Sequence, residues 1–289
     1  MIWMLSSLLP LPNIPIGDWF ERFIDFLGDN FGFVFDGFEA VITFLTDLIY
    51  GALTVMPDLI YIVIFTGLIY WLSRKVGLTV FIALALLFVV SLGYWEAMLY
   101  TFALVITAAF IALVIGIPIG ILASRRDRLH DYVIRPVLDF MQTLPAFVYL
   151  IPAVSLYGIG ETPGVFATII FAMPPAVRLT NLGIRQVSSE VTEAAKSLGS
   201  TDKQMLFKVQ LPIAMPSIMA GINQTIMLAL SMVVIGAMLG GSGLGTIVYR
   251  AVGNNNISVG FSSGVAVVLL AVILDRVTQA IGDRTSIKR

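Results

Sequence analysis

The chain has 289 residues, of which 58% are hydrophobic and 12% charged, with a formal net charge of −1. Soluble domains carry about 25% charged residues, so this composition excludes a soluble globular protein and indicates an integral membrane protein with several spans. With no cysteine and a single histidine, His130, the chain offers no disulfide, thiolate metal site or thiol nucleophile. We therefore expect no catalytic residue, no metal site and no nucleic-acid partner.

The first 55 residues form a separate N-terminal segment with two amphipathic patterns. Apolar residues follow helical spacing over residues 18–27 and again over 34–48, with acidic and polar residues on the opposite face. We expect two helices that lie in the membrane interface. The alternative is an additional span over residues 37–55, which would place Glu39 and Asp47 in lipid at an energetic cost.

Residues 56–289 contain seven apolar segments, each close to the roughly 20 residues that cross a bilayer. The predicted spans lie near residues 57–73, 76–94, 97–123, 134–158, 163–180, 217–240 and 258–281. In this arrangement 15 of the 17 basic residues fall on one side, and only Arg22 and Arg250 on the other. The positive-inside rule then predicts a cell-membrane protein with its N-terminus outside and its C-terminus in the cytoplasm.

Helix-breaking residues interrupt several predicted spans. Pro145, Pro174 and Pro175 each remove a backbone hydrogen-bond donor from a helix. A carbonyl that loses its partner in lipid needs another one, so such positions usually face neighbouring helices or a water-filled path. Two roles are open for these prolines: they are hinges of an alternating-access pathway, or they only shape helix packing.

Polar side chains at membrane depth are the second indication of a pathway, because they are costly in lipid and normally face the bundle interior. The candidates are Asp139, Gln142, Thr143, Tyr149, Asn223, Gln224 and Ser231. The same side chains could instead join helices by hydrogen bonds, and the sequence does not separate these roles. The rings of Phe147, Tyr149 and Tyr157 could also offer their faces to a cation, or serve only in packing.

The glycine-rich run over residues 240–245 is unlike a phosphate-binding loop in context. It follows an apolar span rather than a strand, and it lacks the Lys-Ser/Thr pair of a P-loop. We predict a tight turn outside the cell, followed by a short re-entrant or interfacial helix near residues 246–252.

The longest charged run within the apolar part of the chain is EAAKSLGSTDKQMLFKVQLP, residues 193–212. It begins with good helix formers, and Gly199 then favours a turn because glycine costs about 1 kcal/mol inside a helix. Ser200, Thr201 and Asp202 are N-cap candidates for a second helix, which we predict to end before Leu211. The pattern predicts two short helices around a glycine corner, which an ordinary cytoplasmic loop would also show.

The spacing of this run resembles the EAA loop of ABC importer permeases. The matching positions are Glu193, Ala194, Ala195, Gly199, Val209, Leu211 and Pro212, with valine at 209 where the family more often has isoleucine. In that family the loop docks in a groove of the ATP-binding subunit. The resemblance therefore implies a cytoplasmic coupling loop over residues 185–216.

Further segments are similar to the glycine betaine/proline betaine permeases of this superfamily. They are RPVLDFMQTLPAFVYLIP at 135–152, MPPAVRLT at 173–180, GGSGLG at 240–245 and ILDRVTQAIG at 273–282. The resemblance covers about residues 55–285 and implies an all-α type I ABC importer permease fold. It also implies an extracytoplasmic substrate-binding protein and a separate ATP-binding subunit that holds ATP and Mg, whereas this chain has no Walker motif and no cofactor of its own.

One docking loop serves one ATP-binding subunit, and ABC transporters use two ATP sites at a shared interface. We therefore expect two copies of the ATP-binding subunit and a pair of permeases, most simply a homodimer with twofold symmetry. Two alternatives remain: an ABC permease for another small solute such as choline, carnitine or an amino acid, and a secondary transporter or channel. The second alternative predicts buried ionisable residues and inverted repeats, which the sequence does not show clearly.

Overall fold

The computed structural model describes residues 14–285, which form helices and contain no strand. We number the helices α1 Ile16–Thr54, α2 Asp58–Ser73, α3 Val76–Ser91, α4 Trp95–Arg125, α5 Asp127–Thr143, α6 Ala146–Tyr157, α7 Glu161–Arg185, α8 Ser189–Ser197, α9 Asp202–Leu239, α10 Leu244–Gly253 and α11 Ile257–Thr285. The predicted all-α class is confirmed. The first 13 residues of the predicted N-terminal segment, and Lys288 and Arg289, lie outside the described residues.

Four helices are long and apolar enough to cross a membrane: α4, α7, α9 and α11. They match the predicted spans 97–123, 163–180, 217–240 and 258–281. The predicted span 134–158 is instead a bent pair, α5 and α6, at 109°, and α1 and α2 form a second pair bent by 102°. Helix α3 has 16 residues, about 24 Å of helix. By length and composition the described residues hold four to six spans rather than the predicted seven.

Both bends occur where a proline follows the end of a helix. Leu144 adopts an extended conformation (ψ 133°) directly before Pro145, because the proline ring disfavours the helical conformation of the preceding residue. Pro57 similarly lies between α1 and α2. Apolar composition alone does not reveal such a break, and this is why one continuous span was expected at 134–158.

The predicted pair of N-terminal helices is found within α1. Its 39 residues form two helical stretches that meet at a kink at Phe31, where φ is −122° and ψ is 18° and the backbone is not helical. Its second half packs against the bundle: Ile42 is buried, and the Thr46 hydroxyl donates to the Thr107 hydroxyl of α4 at 3.2 Å. Large aromatic side chains of its first half are exposed. The interfacial location of this segment stays a prediction.

Helix α7 lies between α4 and α9, and the α4–α7 contact depends on glycine. A methyl group added at Gly120 of α4 would lie 2.7 Å from both the Thr180 Cβ and the Val177 carbonyl oxygen of α7. One added at Gly116 would lie 3.1 Å from side-chain atoms of α7. Since small residues let helix backbones approach closely, these two glycines set the distance between α4 and α7.

The α7–α9 contact also depends on glycines, which here lie on both helices. A methyl group at Gly183 of α7 would lie 2.7 Å from the Ser217 Cβ of α9, and one at Gly236 of α9 would lie 2.9 Å from the Gly164 Cα of α7. The start of α9 therefore meets the end of α7, and the two helices run antiparallel. The three helices α4, α7 and α9 form the centre of the bundle.

These contacts define two ends of the bundle. The last turns of α4 and α7 lie together, because the Arg185 guanidinium donates to the Ala123 carbonyl at 2.9 Å. Residues 186–201, which connect α7 to α9, lie at this end, which we call the loop end. The last turns of α11 also lie there, since a methyl group added at Gly282 would lie 3.5 Å from the Met219 Cβ. The turn at residues 240–243 lies at the opposite end, which we call the glycine-turn end.

We predict that Gly120→Ala destabilises the full-length protein. The new methyl group would clash with the α7 backbone, and overpacking of this kind costs about 1–3 kcal/mol. The matched control is Gly67→Ala in α2, where no atom lies within 4 Å of the new methyl group and the better helix former should stabilise by roughly 0.5–1 kcal/mol. Melting temperatures in detergent should therefore fall for the first variant and not for the second. Equal melting temperatures would contradict the tight α4–α7 contact.

Candidate functional site

Helix α8 presents the first half of the predicted coupling loop and is capped at both ends. The Ser188 hydroxyl accepts from the Val191 amide at 3.4 Å at its N-terminus. At its C-terminus the Gly199 amide donates to the Lys196 carbonyl at 2.9 Å, and the Ser200 amide to the Ala195 carbonyl at 3.1 Å. This pair of bonds is a Schellman motif. It requires the left-handed φ of +81° that Gly199 adopts, so the predicted glycine corner is confirmed.

The next helix begins directly after this corner. Of the three N-cap candidates, Thr201 is the cap: its hydroxyl accepts from the Gln204 amide at 3.3 Å, and the Gln204 side chain accepts from the Thr201 amide at 2.9 Å. This reciprocal pair is a capping box. With only residues 198–201 between them, α8 and α9 form a tightly hydrogen-bonded unit.

The prediction that the second helix ends before Leu211 is wrong. The helix continues through Leu211 and Pro212 as α9, which ends at Leu239. The segment Met205–Gln210 is a wider π turn, and it is separated from Pro212 by Leu211 alone. Proline has no amide hydrogen, and a local π adjustment allows a helix to pass such a residue. The second half of the predicted coupling loop is therefore the first part of α9 rather than a separate short helix.

The loop is also held by α4. The Arg125 guanidinium donates to the Asp202 carbonyl at 3.3 Å and lies 3.4 Å from the Gln210 side-chain oxygen. Met205 is buried, and the neighbouring residues Leu206 and Leu211 pack on the apolar cluster at the loop end of α7 and α9. These contacts fix the position of the loop on the bundle.

The predicted coupling residues divide into two groups. Glu193, Ala194 and Gly199 are exposed, whereas Ala195, Val209, Leu211 and Pro212 are half-buried. The sequence interpretation gave no docking role to two further side chains: Leu198 is 88% exposed and Phe207 is 64% exposed. Their signal was available in the sequence, because both are large apolar residues inside a charged run.

The predicted pathway residue Asp139 forms an ion pair. Its carboxylate accepts from the Arg178 guanidinium of α7 at 2.5 Å, and both side chains are partly exposed. This pair links α5 to α7. Of the seven candidates for the translocation path, Asp139 alone carries a charge, and Arg178 neutralises it.

The other candidates on α5 and α6 differ in exposure. Gln142 and Thr143 are exposed on α5. Tyr149 is buried: its hydroxyl donates to the Met141 carbonyl, and its ring packs edge-on against Phe171 with 6.0 Å between centroids. The Tyr149 ring thus packs inside the chain, and its predicted role in the path remains an expectation.

The two remaining aromatic candidates for a cation contact also differ. Tyr157 packs on Phe166 at 5.1 Å between ring centroids and on Phe35 at 6.1 Å. Phe147 is exposed on α6. Of the three predicted rings, Phe147 is therefore the one with an exposed face in this conformation.

The three polar candidates on α9 do not share one environment. The Asn223 amide donates to the Asp275 carboxylate of α11 at 2.9 Å, which is the helix-joining role that the sequence left open. Gln224 and Ser231 are exposed, and the Ser231 hydroxyl donates to the Met227 carbonyl of its own helix. Asp275 was not singled out from the sequence, because it lies close to the basic end of the chain.

The predicted hinge prolines have different surroundings. Pro145 lies at the bend between α5 and α6. Pro174 and Pro175 are buried inside α7, which continues through both of them. The backbone therefore changes direction at Pro145 and not at the other two prolines.

At the opposite end, the glycine run forms the predicted turn and helix. Gly240 and Gly243 have φ of +99° and +100°, and α10 begins at Leu244. Glu161 of α7, which was not singled out from the sequence, fixes this turn. Its carboxylate accepts from the Ser242 amide at 2.9 Å and from the Tyr100 hydroxyl of α4.

The fold and the exposed loop define a multi-pass permease of the type I ABC importer architecture. The structure is similar to solved structures of the MetNI methionine ABC transporter in inward facing conformations, with a TM-score of 0.59 and 21% identity. That alignment covers 65% of this chain and 93% of the solved one. At this identity the similarity shows a shared fold.

Residues 116–287 match the family described as binding-protein-dependent transport system inner membrane component. The chain belongs to this family.

Three curated relatives align with nearly the whole chain. The glycine betaine/carnitine transport permease protein GbuB of Listeria monocytogenes is 49% identical, covering 95% of this chain and 98% of the relative. The glycine betaine transport system permease protein OpuAB of Bacillus subtilis is 48% identical, over 94% and 95%. The glycine betaine/proline betaine transport system permease protein ProW of Escherichia coli is 47% identical, over 97% and 82%. The resemblance to this group of permeases is confirmed.

We predict that Gly199→Val loosens the α8–α9 corner, whereas Gly199→Asn preserves it. No atom lies within 4 Å of a methyl group at this position, so the left-handed backbone alone decides the effect. That conformation costs a residue with a side chain roughly 1–2 kcal/mol, and asparagine tolerates it better. The backbone amides at positions 199 and 200 should exchange their hydrogens about tenfold faster in the valine variant than in the asparagine variant. Equal exchange in both variants would show that the Schellman motif does not depend on glycine.

Proposed function

We propose that this chain is the permease subunit of an ABC importer that carries glycine betaine or proline betaine-type compatible solutes into the cell. ATP hydrolysis in a partner subunit drives the transport. The observation that carries the proposal is the EAA loop as a capped, exposed two-helix unit at one end of the bundle. The names of three relatives that align over almost the whole chain support the solute class.

The proposed partner of the loop is an ATP-binding subunit. Leu198 and Phe207 are large exposed apolar side chains on this loop, and exposed apolar surface rimmed by polar residues marks protein interaction sites. Glu193 adds a charge on the same loop. Each permease offers one loop, so two ATP-binding subunits and two permeases complete the proposed assembly, most simply with twofold symmetry. ATP and Mg belong to the partner subunit.

The proposed coupling uses α9 as a lever. When the ATP-binding subunits close, the groove around α8 moves, and the corner passes this motion to α9 because each helix is hydrogen-bonded to the short corner between them. Helix α9 runs without a break from the loop to the glycine-turn end. The proposed hinges for the switch between inward-open and outward-open states are the bend at Pro145 and the helix backbone at the buried Pro174 and Pro175.

The charge balance of the candidate path supports a solute without net charge. Among the predicted path residues the only ionised side chain, Asp139, is paired with Arg178 at 2.5 Å. A betaine carries one positive and one negative group and needs no unpaired counter-ion. The exposed residues Gln142, Thr143, Gln224 and Ser231 offer neutral polar groups instead. An extracytoplasmic binding protein would deliver the solute and select it.

The alternative is a permease for another small solute, such as choline, carnitine or an amino acid. One relative has carnitine in its name beside glycine betaine, which favours carnitine over the others. Choline is a net cation, so a choline path should contain an unpaired carboxylate. Asp139 does not fit this role, because it is paired with Arg178.

We predict that Leu198→Asp and Phe207→Ser weaken binding of the ATP-binding subunit at least tenfold, a loss of about 1.4 kcal/mol. Proteoliposomes with the permease, its ATP-binding subunit and its binding protein should accumulate labelled glycine betaine only with ATP. The two variants should lower both subunit binding and uptake. The control is Phe261→Ser, an exposed phenylalanine at the glycine-turn end, which should retain both.

Two results of the same experiment would refute parts of this proposal. Normal subunit binding by both loop variants would remove the docking role. Uptake that is unaffected by excess unlabelled glycine betaine but blocked by excess choline or an amino acid would move the chain to the alternative solute class.

We also predict an orientation with the loop end in the cytoplasm, which the basic residues favour. Because the chain has no cysteine, single cysteines can replace exposed residues without background labelling. Cysteines at Asn30 and Asn254 should react with an impermeant thiol reagent in intact cells, whereas cysteines at Arg128 and Lys203 should react only after permeabilisation. Labelling of Lys203→Cys in intact cells would reverse the orientation, and protection of Asn30→Cys would favour a spanning α1.

A further inference from the structure

A large open cavity lies at the loop end, apart from the coupling loop and the candidate path. It has a volume of about 870 Å³ and lies between the α2–α3 corner and the last turns of α11. Residues 71–75 and Leu78 form one wall, and residues of α11 from Arg276 to Arg284 form the other. The Asp139–Arg178 pair and the exposed loop residues Leu198 and Phe207 do not line it.

The cavity has a strong excess of positive charge. Its lining contains the four basic residues Arg74, Lys75, Arg276 and Arg284 and the single acidic residue Asp283. Lys75 pairs with Asp283 at 3.7 Å between two exposed side chains. Arg276 lies 3.9 Å from Asp275 of the same helix. Among the described residues, Arg74 and Arg284 have no carboxylate partner.

Arg284 is held in place in spite of its lack of a carboxylate. Its guanidinium stacks 4.9 Å from the centre of the Trp71 ring and donates to the Trp71 carbonyl. A guanidinium stacked on an aromatic ring keeps further N–H groups that can donate to carboxylate or phosphate oxygens. Arg74 is fixed differently, by the left-handed φ of +53° that ends α2, where its amide donates to the Tyr70 carbonyl.

The N-terminus of α3 adds hydrogen-bond donors to the same wall. Lys75 is its N-cap and provides no side-chain cap. The first bond of this helix is from the Thr79 amide to the Lys75 carbonyl at 3.2 Å, so the amides of Val76, Gly77 and Leu78 have no acceptor among the described residues. A helix N-terminus with free amides and a positive dipole end favours an anion.

Exposed apolar side chains lie next to the cavity in α2 and α3. Tyr70 and Trp71 of α2, and Val76 and Val80 of α3, are exposed large side chains around the charged corner. A small soluble anion would leave this apolar surface uncovered, whereas the acyl chains of a lipid would pack against it. Basic pockets between membrane helices are known to bind anionic lipid head groups.

We infer that this cavity binds the phosphate of an anionic phospholipid in the leaflet at the loop end. Arg74, Arg276 and Arg284 would face the phosphate oxygens, the α3 amides would donate to them, and the exposed apolar side chains of α2 and α3 would contact the acyl chains. The inference goes beyond the proposed transport function and uses it only to place the leaflet on the cytoplasmic side.

The test is native mass spectrometry of the delipidated full-length chain titrated with phosphatidylglycerol or phosphatidylcholine. Both lipids contain a phosphate, but only phosphatidylglycerol has a net charge. We expect tighter binding of the first phosphatidylglycerol molecule. The double variant Arg74→Gln with Arg276→Gln should weaken it about 30-fold, from the usual contribution of a basic residue near an anionic membrane. The matched control removes the same charge at the same end but outside the cavity, with Arg126→Gln and Arg128→Gln, and should bind as the natural chain does.

Three outcomes would overturn the inference. Equal phosphatidylglycerol affinity of the two double variants would remove the cavity as the site. Displacement of the lipid by millimolar inorganic phosphate would identify a site for a free anion instead. If the cavity variant Arg74→Gln with Arg276→Gln kept its affinity for phosphatidylglycerol but no longer bound the ATP-binding subunit, the cavity would be a protein interface. The lipid titration needs no transport, so its failure is distinguishable from failure of the proposed function. Melting temperatures of both double variants establish that they are folded.

Discussion

The close approach of α4 and α9 to α7 is the constraint on which the rest of the structure depends. Gly120 and Gly183 stand where a single methyl group would meet a neighbouring atom at 2.7 Å. In a membrane there is little hydrophobic force between helices, so close van der Waals packing of backbones supplies much of the stability. The glycines are spread over three helices and both ends of the bundle, which fixes the register of α4, α7 and α9 together.

Because this register is fixed, the loop and the glycine turn are presented at defined positions. At the loop end, Arg125 of α4 bonds to the start of α9, and Arg185 of α7 bonds to the end of α4. At the other end, Glu161 of α7 joins Tyr100 of α4 to the turn that follows α9. Each end therefore has a polar contact that links the same three helices, and these contacts lie outside the apolar centre.

The sequence predicted the features that depend on local chemistry. Gly199 was expected at a corner because of its backbone freedom, Thr201 was among the N-cap candidates, and residues 246–252 were expected in a short helix after the glycine turn. What it did not predict depends on tertiary contacts. A periodic pattern does not show that a π turn carries α9 past Pro212. The partner of Asn223 could not be found either, since Asp275 is 52 residues away in the chain.

The continuity of α9 changes what coupling requires of the loop. If the second loop helix ended before Leu211, a flexible joint would lie between the proposed docking surface and the span, and motion of the proposed partner subunit would be lost there. Instead the π turn at Met205–Gln210 is the one irregular element between Thr201 and Gly236 in the described chain. A displacement of α8 must then be absorbed at this turn, or at the glycine contacts with α7, or be transmitted to the turn that Glu161 holds. Because the glycine contacts hold α9 in register against α7, a displacement is not readily absorbed there, which leaves the π turn and the turn that Glu161 holds.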